Sequence, residues 1–98
     1  MNGLAILLHN ENEFDRAAAL LNRMADLFPA DYRVPMRQAY LEADRQSKIG
    51  NNYRDYALTK QYYDAAAQLY RPRPGDSDPE MQQLDLLIEQ LRINNWID

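Results

Sequence analysis

Cysteine is absent from the 98 residues. That excludes disulfide staples, zinc ribbons, thiol catalysis and iron–sulfur ligation, and it fits a reducing compartment. Long apolar runs are missing as well. The candidate run, Leu4 to Leu8, is a fraction of the ~20 residues that a spanning helix needs. Met1-Asn2-Gly3 supplies no basic segment ahead of it, so it does not have the form of a signal peptide, and a cytoplasmic location is the expectation. Positive charge is scarce: 11 Lys and Arg stand against 15 Asp and Glu, a formal net charge of −4. Such a surface repels a phosphate backbone, and nucleic acid is not an expected partner. Catalytic groups are few. His9 is the only imidazole, and Ser47, Thr59 and Ser77 are the only hydroxyls besides tyrosine. Covalent catalysis needs a nucleophile, a base and an orienting group placed together, so an enzyme is not expected, nor any cofactor.

What remains is the composition of a folded chain, 46% hydrophobic and 27% charged, long enough for one core and too short for two. Phe14, Ala17, Leu20, Leu21, Met24, Leu27 and Phe28 recur at steps of three and four, one face of a helix that Pro29 closes. Asp31 can cap a second helix with Pro35 in its first turn and Met36, Ala39, Tyr40 and Ala43 inward. It ends near Lys48, before Gly50-Asn51-Asn52. A third helix begins near Asp55, with Tyr56, Thr59, Tyr63, Ala66, Ala67 and Tyr70 on one side. Arg71-Pro72-Arg73-Pro74-Gly75-Asp76 breaks it. Ser77 or Asp78 then caps a last helix with Pro79 at its start and Met81, Leu84, Leu87, Ile88 and Leu91 inward. Asn94-Asn95 ends that helix and leaves Trp96 and Ile97 as an apolar tail. Ahead of Phe14, Gly3 to His9 forms a short helix with no lead-in, so residues 1–98 are expected to be an excerpt of a larger protein.

Two acidic groups invite a metal reading and a plainer one. Asp76, Asp78 and Glu80 alternate like the opening of a calcium loop, but the sixth and twelfth places hold Met81 and Leu87, where glycine and glutamate are required. Glu11, Glu13 and Asp15 are accounted for as helix-start charge. No metal site is expected. Five of the seven tyrosines lie between Tyr53 and Tyr70. Tyr56, Tyr63 and Tyr70 share the helical period and belong to packing, whereas Tyr53 and Tyr62 can serve packing or contact.

The run Glu13-Phe14-Asp15-Arg16-Ala17 through Met24 to Leu27-Phe28-Pro29 resembles the second helix of a tetratricopeptide repeat, and Leu4, Ala5 and Leu8 fall where that family's first helix keeps a leucine, a small residue and an aromatic. A second, looser repeat has Ala39 at the small position, then Tyr56, Tyr63, Ala66 and Leu69. The spacing from Phe14 to Tyr56 exceeds the family's ~34-residue period, so the turn around Ser47 to Arg54 is lengthened. The pattern also departs at Pro35, Gln38, Thr59 and Arg71. The resemblance implies an all-α fold of antiparallel hairpins: residues 1–31 a first repeat truncated at its start, 32–71 a second, and 77–98 a capping helix and tail. The ending is similar to C-terminal repeat regions of some bacterial serine/threonine kinase-like proteins.

In that family the first helices line a concave surface. The resemblance therefore implies a protein-interaction or scaffolding role, with a protein or peptide partner held by Asn2, Ile6, His9, Asn10, Arg33, Met36, Arg37, Tyr40 and Asp44. Arg33 and Arg37, one turn apart, can receive a carboxylate. The family's carboxylate clamp has asparagines where Ile6 and Tyr40 stand, so capture of a peptide C-terminus is not expected. The alternative is a structural role inside the parent chain, or a homodimer formed through Trp96.

Overall fold

The computed structural model describes residues 2–10, 13–50 and 53–97, leaving aside the side chains of Asn2 and Leu8. The described residues form five helices and no strand: α1 Asn2–Asn10, α2 Phe14–Leu27, α3 Arg33–Ser47, α4 Ala57–Leu69 and α5 Pro79–Ile93. The all-α expectation holds. Among the described residues no helix is long and apolar enough to cross a membrane.

Local chemistry sets the helix ends. Phe28 closes α2 by donating its amide to the Met24 carbonyl at 2.7 Å, ahead of Pro29, which has no amide to extend the ladder. Asp31 starts α3 as expected, its Oδ1 accepting from the Arg33 backbone amide at 3.0 Å. Pro35 fits because the first-turn amides have no intrahelical acceptor. Beyond α3, Arg54 reaches back to donate to the carbonyls of Ile49 at 2.9 Å and Ser47 at 2.8 Å, closing the long connection onto the helix that precedes it. Asp55 Oδ1 accepts from the Ala57 amide at 2.9 Å and starts α4.

The break before α5 is a tight turn. Asp76 donates its amide to the Arg73 carbonyl at 2.9 Å. Between them Pro74 precedes Gly75 at φ +88°, the residue order of a type II turn, whose third position requires a left-handed residue. Asp78 is the N-cap of α5, its Oδ1 accepting from the Glu80 amide at 2.9 Å, and Pro79 follows directly. At the other end Asn95 adopts φ 63°. Trp96 donates to the Leu91 carbonyl and Asn95 to that of Arg92, the paired bonds of a Schellman motif.

The helices pack in sequence, α1 on α2, α2 on α3 and α3 on α4, while α3 also touches α1 and α5, and α5 rests on α4. The Cα radius of gyration is 13.3 Å, the size of a single compact unit of this length. Ala5, Ala17, Leu21, Met24, Val34 and Leu41 form one apolar cluster at the N-terminal end. Met36, Ala39, Ala66, Met81 and Leu84 form the central one. Ala43, Tyr56, Ile88 and Leu91 close the far end.

Several inward assignments need correction. Leu27 and Phe28 are half or more exposed, and Ala67 is exposed, because no described element covers the last turn of α2 or that edge of α4. Trp96 is not a free tail. The Schellman turn folds it back against Tyr56, with ring centroids 5.5 Å apart and edge on. The largest departure is α3, which buries Val34, Pro35, Arg37, Gln38, Leu41 and Glu42 in addition to the expected Met36, Ala39 and Ala43. A helix touched by four neighbours has no solvent face for most of its length.

Candidate functional site

The expected contact residues lie along the row α1–α3–α5, and the structure links most of them to one another or to α5. His9, near the end of α1, places Nε2 2.6 Å from Asp44 Oδ2 on α3. Against an ionised carboxylate, which only accepts, the imidazole proton belongs on Nε2. The Phe14 ring stands 6.1 Å from the imidazole. Asn10 is exposed beside it.

Arg33 and Arg37 do not act as a pair. Arg33 turns back to Asp31 in a two-pronged bond, Nε to Oδ1 at 3.0 Å and Nη2 to Oδ2 at 2.9 Å. The Arg33 guanidinium holds the Asp31 carboxyl below its usual range, and the carboxylate in turn raises Arg33. Arg37 points to α5. Its side chain is only 10% exposed and Nη2 donates to Glu80 Oε2. It also sits 5.6 Å above the Tyr40 ring. Its Nε has no hydrogen-bond partner among the described residues. Tyr40 donates its hydroxyl to the Glu80 backbone carbonyl. Burial first, and the Glu80 carboxylate second, raise the Tyr40 pKa. Met36, which its spacing placed inward although the resemblance counted it in the row's lining, is buried against Met81 and Leu84 of α5. Ile6 is half-buried. The expectation placed on Asn2 lies outside the described side chains, as does that on Leu8.

The α5 contribution is what the sequence pattern missed. Tyrosine hydroxyls fasten the start and the middle of this helix. Tyr32 donates to Asp78 Oδ2 at 2.5 Å, the Asp78 amide donates to the Tyr70 hydroxyl at 2.7 Å, and Tyr63 donates to Asp85 Oδ1 at 2.8 Å. Tyr32 is pushed up to about 12, chiefly by the bond to Asp78. Tyr63 also reaches about 12, first through burial and then through Asp85. Asp78 caps α5 and binds Tyr32, and Glu80 pairs with Arg37, so these two acids serve the fold. Among the described residues no three His, Asp or Glu side chains converge on a metal-sized site; Glu11 lies outside them.

Among the described residues, besides a concavity of about 310 Å³ between the start of α4 and Asn95 to Ile97, two more lie off this row. One, about 570 Å³, opens between the start of α3 and the α4–α5 linker, beside Tyr32, Tyr70, Arg71 and Arg73. Arg71 donates to the Tyr70 carbonyl at 3.0 Å and so serves the end of α4. The other is a groove between α2 and α4, which do not pack on each other. Its apolar chamber of about 280 Å³ has Val34 and Pro35 of α3 as floor, with walls from Ala25 and Phe28 on one side and Ala65 and Leu69 on the other. A separate cavity of about 20 Å³ lies further along α3, between Gln38, Tyr62, Ala18 and Glu42. The spacing of α3 could not reveal this floor, because Gln38 and Glu42 read as solvent-facing until α2 and α4 are seen to flank them. Comparison with protein-family models, with curated proteins and with solved structures gives no match.

Proposed function

We propose that this chain is a tetratricopeptide-like interaction module that receives a peptide or neighbouring domain on the α1–α3–α5 row and performs no catalysis. The observation that carries the reading is the packing order. Each helix rests on the next while α1, α3 and α5 also meet side by side, the arrangement expected when first helices of successive hairpins line one surface. The links His9–Asp44 and Arg37–Glu80 bridge the two seams of that row. On this reading α5 is the first helix of an incomplete third hairpin, and it covers apolar surface that two hairpins alone would leave open.

The contact residues shift accordingly. Arg37 and Tyr40 hold the row together, whereas Arg33, Asn10 and the half-exposed Asp44 remain available at its surface. A photo-crosslinking side chain placed at Asn10 or Arg33 should capture a partner that one placed at exposed Gln68 on α4 does not. The double variant Asn10→Arg and Arg33→Glu should weaken that capture with helical dichroism intact. Equal capture from Gln68, or capture indifferent to the double variant, removes the surface assignment. Self-association is the second reading, favoured by the exposed Leu4 and Leu7 on α1 and by Leu27 and Phe28. Sedimentation across a concentration series separates it from the first.

A further inference from the structure

The cavity between the start of α3 and the α4–α5 linker, about 570 Å³, has the size of a small-molecule site. Its frame is fixed by contacts of the fold. Tyr32 and Tyr70 meet edge on, with ring centroids 4.7 Å apart, and Asp78 ties both, accepting from the Tyr32 hydroxyl and donating its amide to the Tyr70 hydroxyl. Four charged side chains belong to the lining. Asp78 is engaged by its cap and by Tyr32, and Arg71 by the Tyr70 carbonyl. Arg73 and Asp76 are left. They are the first and last residues of the type II turn, closed by the Asp76 amide on the Arg73 carbonyl at 2.9 Å, which holds their Cα atoms within ~7 Å. Both are exposed, and they form no ion pair with each other or with another described residue.

A third group is left over. The Tyr70 hydroxyl accepts from the Asp78 amide, and no described residue takes the hydrogen it can donate. One cation, one anion and one hydroxyl hydrogen therefore share a cavity with apolar walls from Leu69, Pro72 and Pro79. The charge of the lining selects the class of ligand. Two Arg against two Asp sum to zero, so the cavity concentrates neither a polyanion nor a polycation, whereas a molecule with both signs on one short skeleton answers both unpaired groups at once. We propose that this cavity binds a small zwitterion with an apolar body, an α-amino acid or a dipeptide. Its carboxylate is received by Arg73 and the Tyr70 hydroxyl, its ammonium by Asp76, and its apolar side chain by Leu69, Pro72 and Pro79.

The test titrates the whole chain with leucine, with leucyl-leucine, and with the N-acetyl and C-terminal amide derivatives of each, following amide chemical shifts. The free zwitterions should move the amides between Tyr70 and Asp78, and the stronger of the two identifies the source. Blocking either end should weaken binding about fivefold or more, the loss of one charge-assisted hydrogen bond. Arg73→Gln should remove the penalty of amidation and Asp76→Asn that of acetylation, since each deletes the group that reads that end. Both side chains lie outside the apolar clusters, so dichroism of the variants should match the parent. The proposal is overturned if no zwitterion moves these resonances at millimolar concentration, as when Arg73 and Asp76 pair with each other instead. It is overturned equally if blocked derivatives bind as well as free ones, or if both penalties survive the variants.

Discussion

Arg37 and Glu80 form an unequal pair, 10% against 52% exposed, and the two halves should respond differently to removal. Glu80→Ala leaves a buried guanidinium with neither Nη2 nor Nε satisfied, and should destabilise by about 1–3 kcal/mol. Arg37→Met removes the buried charge and keeps apolar volume, so its cost should be clearly smaller. Urea unfolding of both variants and of the double mutant checks the order; the reverse order would show that the pair's attraction outweighs the desolvation of Arg37. A second contrast lies on α5. Leu84 is fully buried and Leu86 is 60% exposed. Leu84→Ala should cost about 2–5 kcal/mol, a large part of what a domain of this size has, whereas Leu86→Ala should stay within about 0.5 kcal/mol. Leu84 was legible from spacing alone. Arg37, Gln38 and Glu42 were not, because each is buried by elements remote in sequence, and no local periodicity encodes how many neighbours a helix will have.

At the scale of elements, all five helices were visible with their ends to within a residue or two. Proline, Asp and Asn placed those ends, and the structure uses Asp31, Asp55, Asp78 and Asn95 as the backbone requires. Less legible was the role of the Asp78 turn. Its carboxylate caps α5 with one oxygen and binds Tyr32 with the other, so a residue that reads as a cap also fastens α5 to the start of α3. Asp78→Ala should therefore cost more than the ~1 kcal/mol of a lost cap. Tyr32→Phe, which keeps the cap, should cost about 1 kcal/mol. In the double variant the two effects should not add, since both delete the same tyrosine–carboxylate bond. Full additivity by denaturant unfolding would show that the two residues act independently.

For the whole molecule, the tyrosine bonds to α5 make stability depend on alkaline pH. An unfolded tyrosine titrates near 10, whereas Tyr32 and Tyr63 keep their protons to about 12 in the folded chain. Below pH ~10 both states are protonated and the full stabilisation is present. Between about 10 and 12 the unfolded chain binds fewer protons than the folded one, so stability falls as pH rises. Asp31 works in the opposite sense: its lowered pKa supports the fold above the ordinary carboxyl range and is lost on acidification. The alkaline fall should be cooperative for the domain, because Tyr32 and Tyr63 hold α5 against α3 and α4, and α5 supplies Met81, Leu84, Ile88 and Leu91 to two of the three apolar clusters. Urea midpoints measured from neutral pH upward should be level to about pH 10 and then decline. The Tyr32→Phe, Tyr63→Phe variant should start lower and decline less steeply, since its remaining titrations exclude the two most tightly held protons. A parent curve that stays level through this window, or a variant that declines in parallel with it, would mean that these hydroxyls do not fasten α5 in solution.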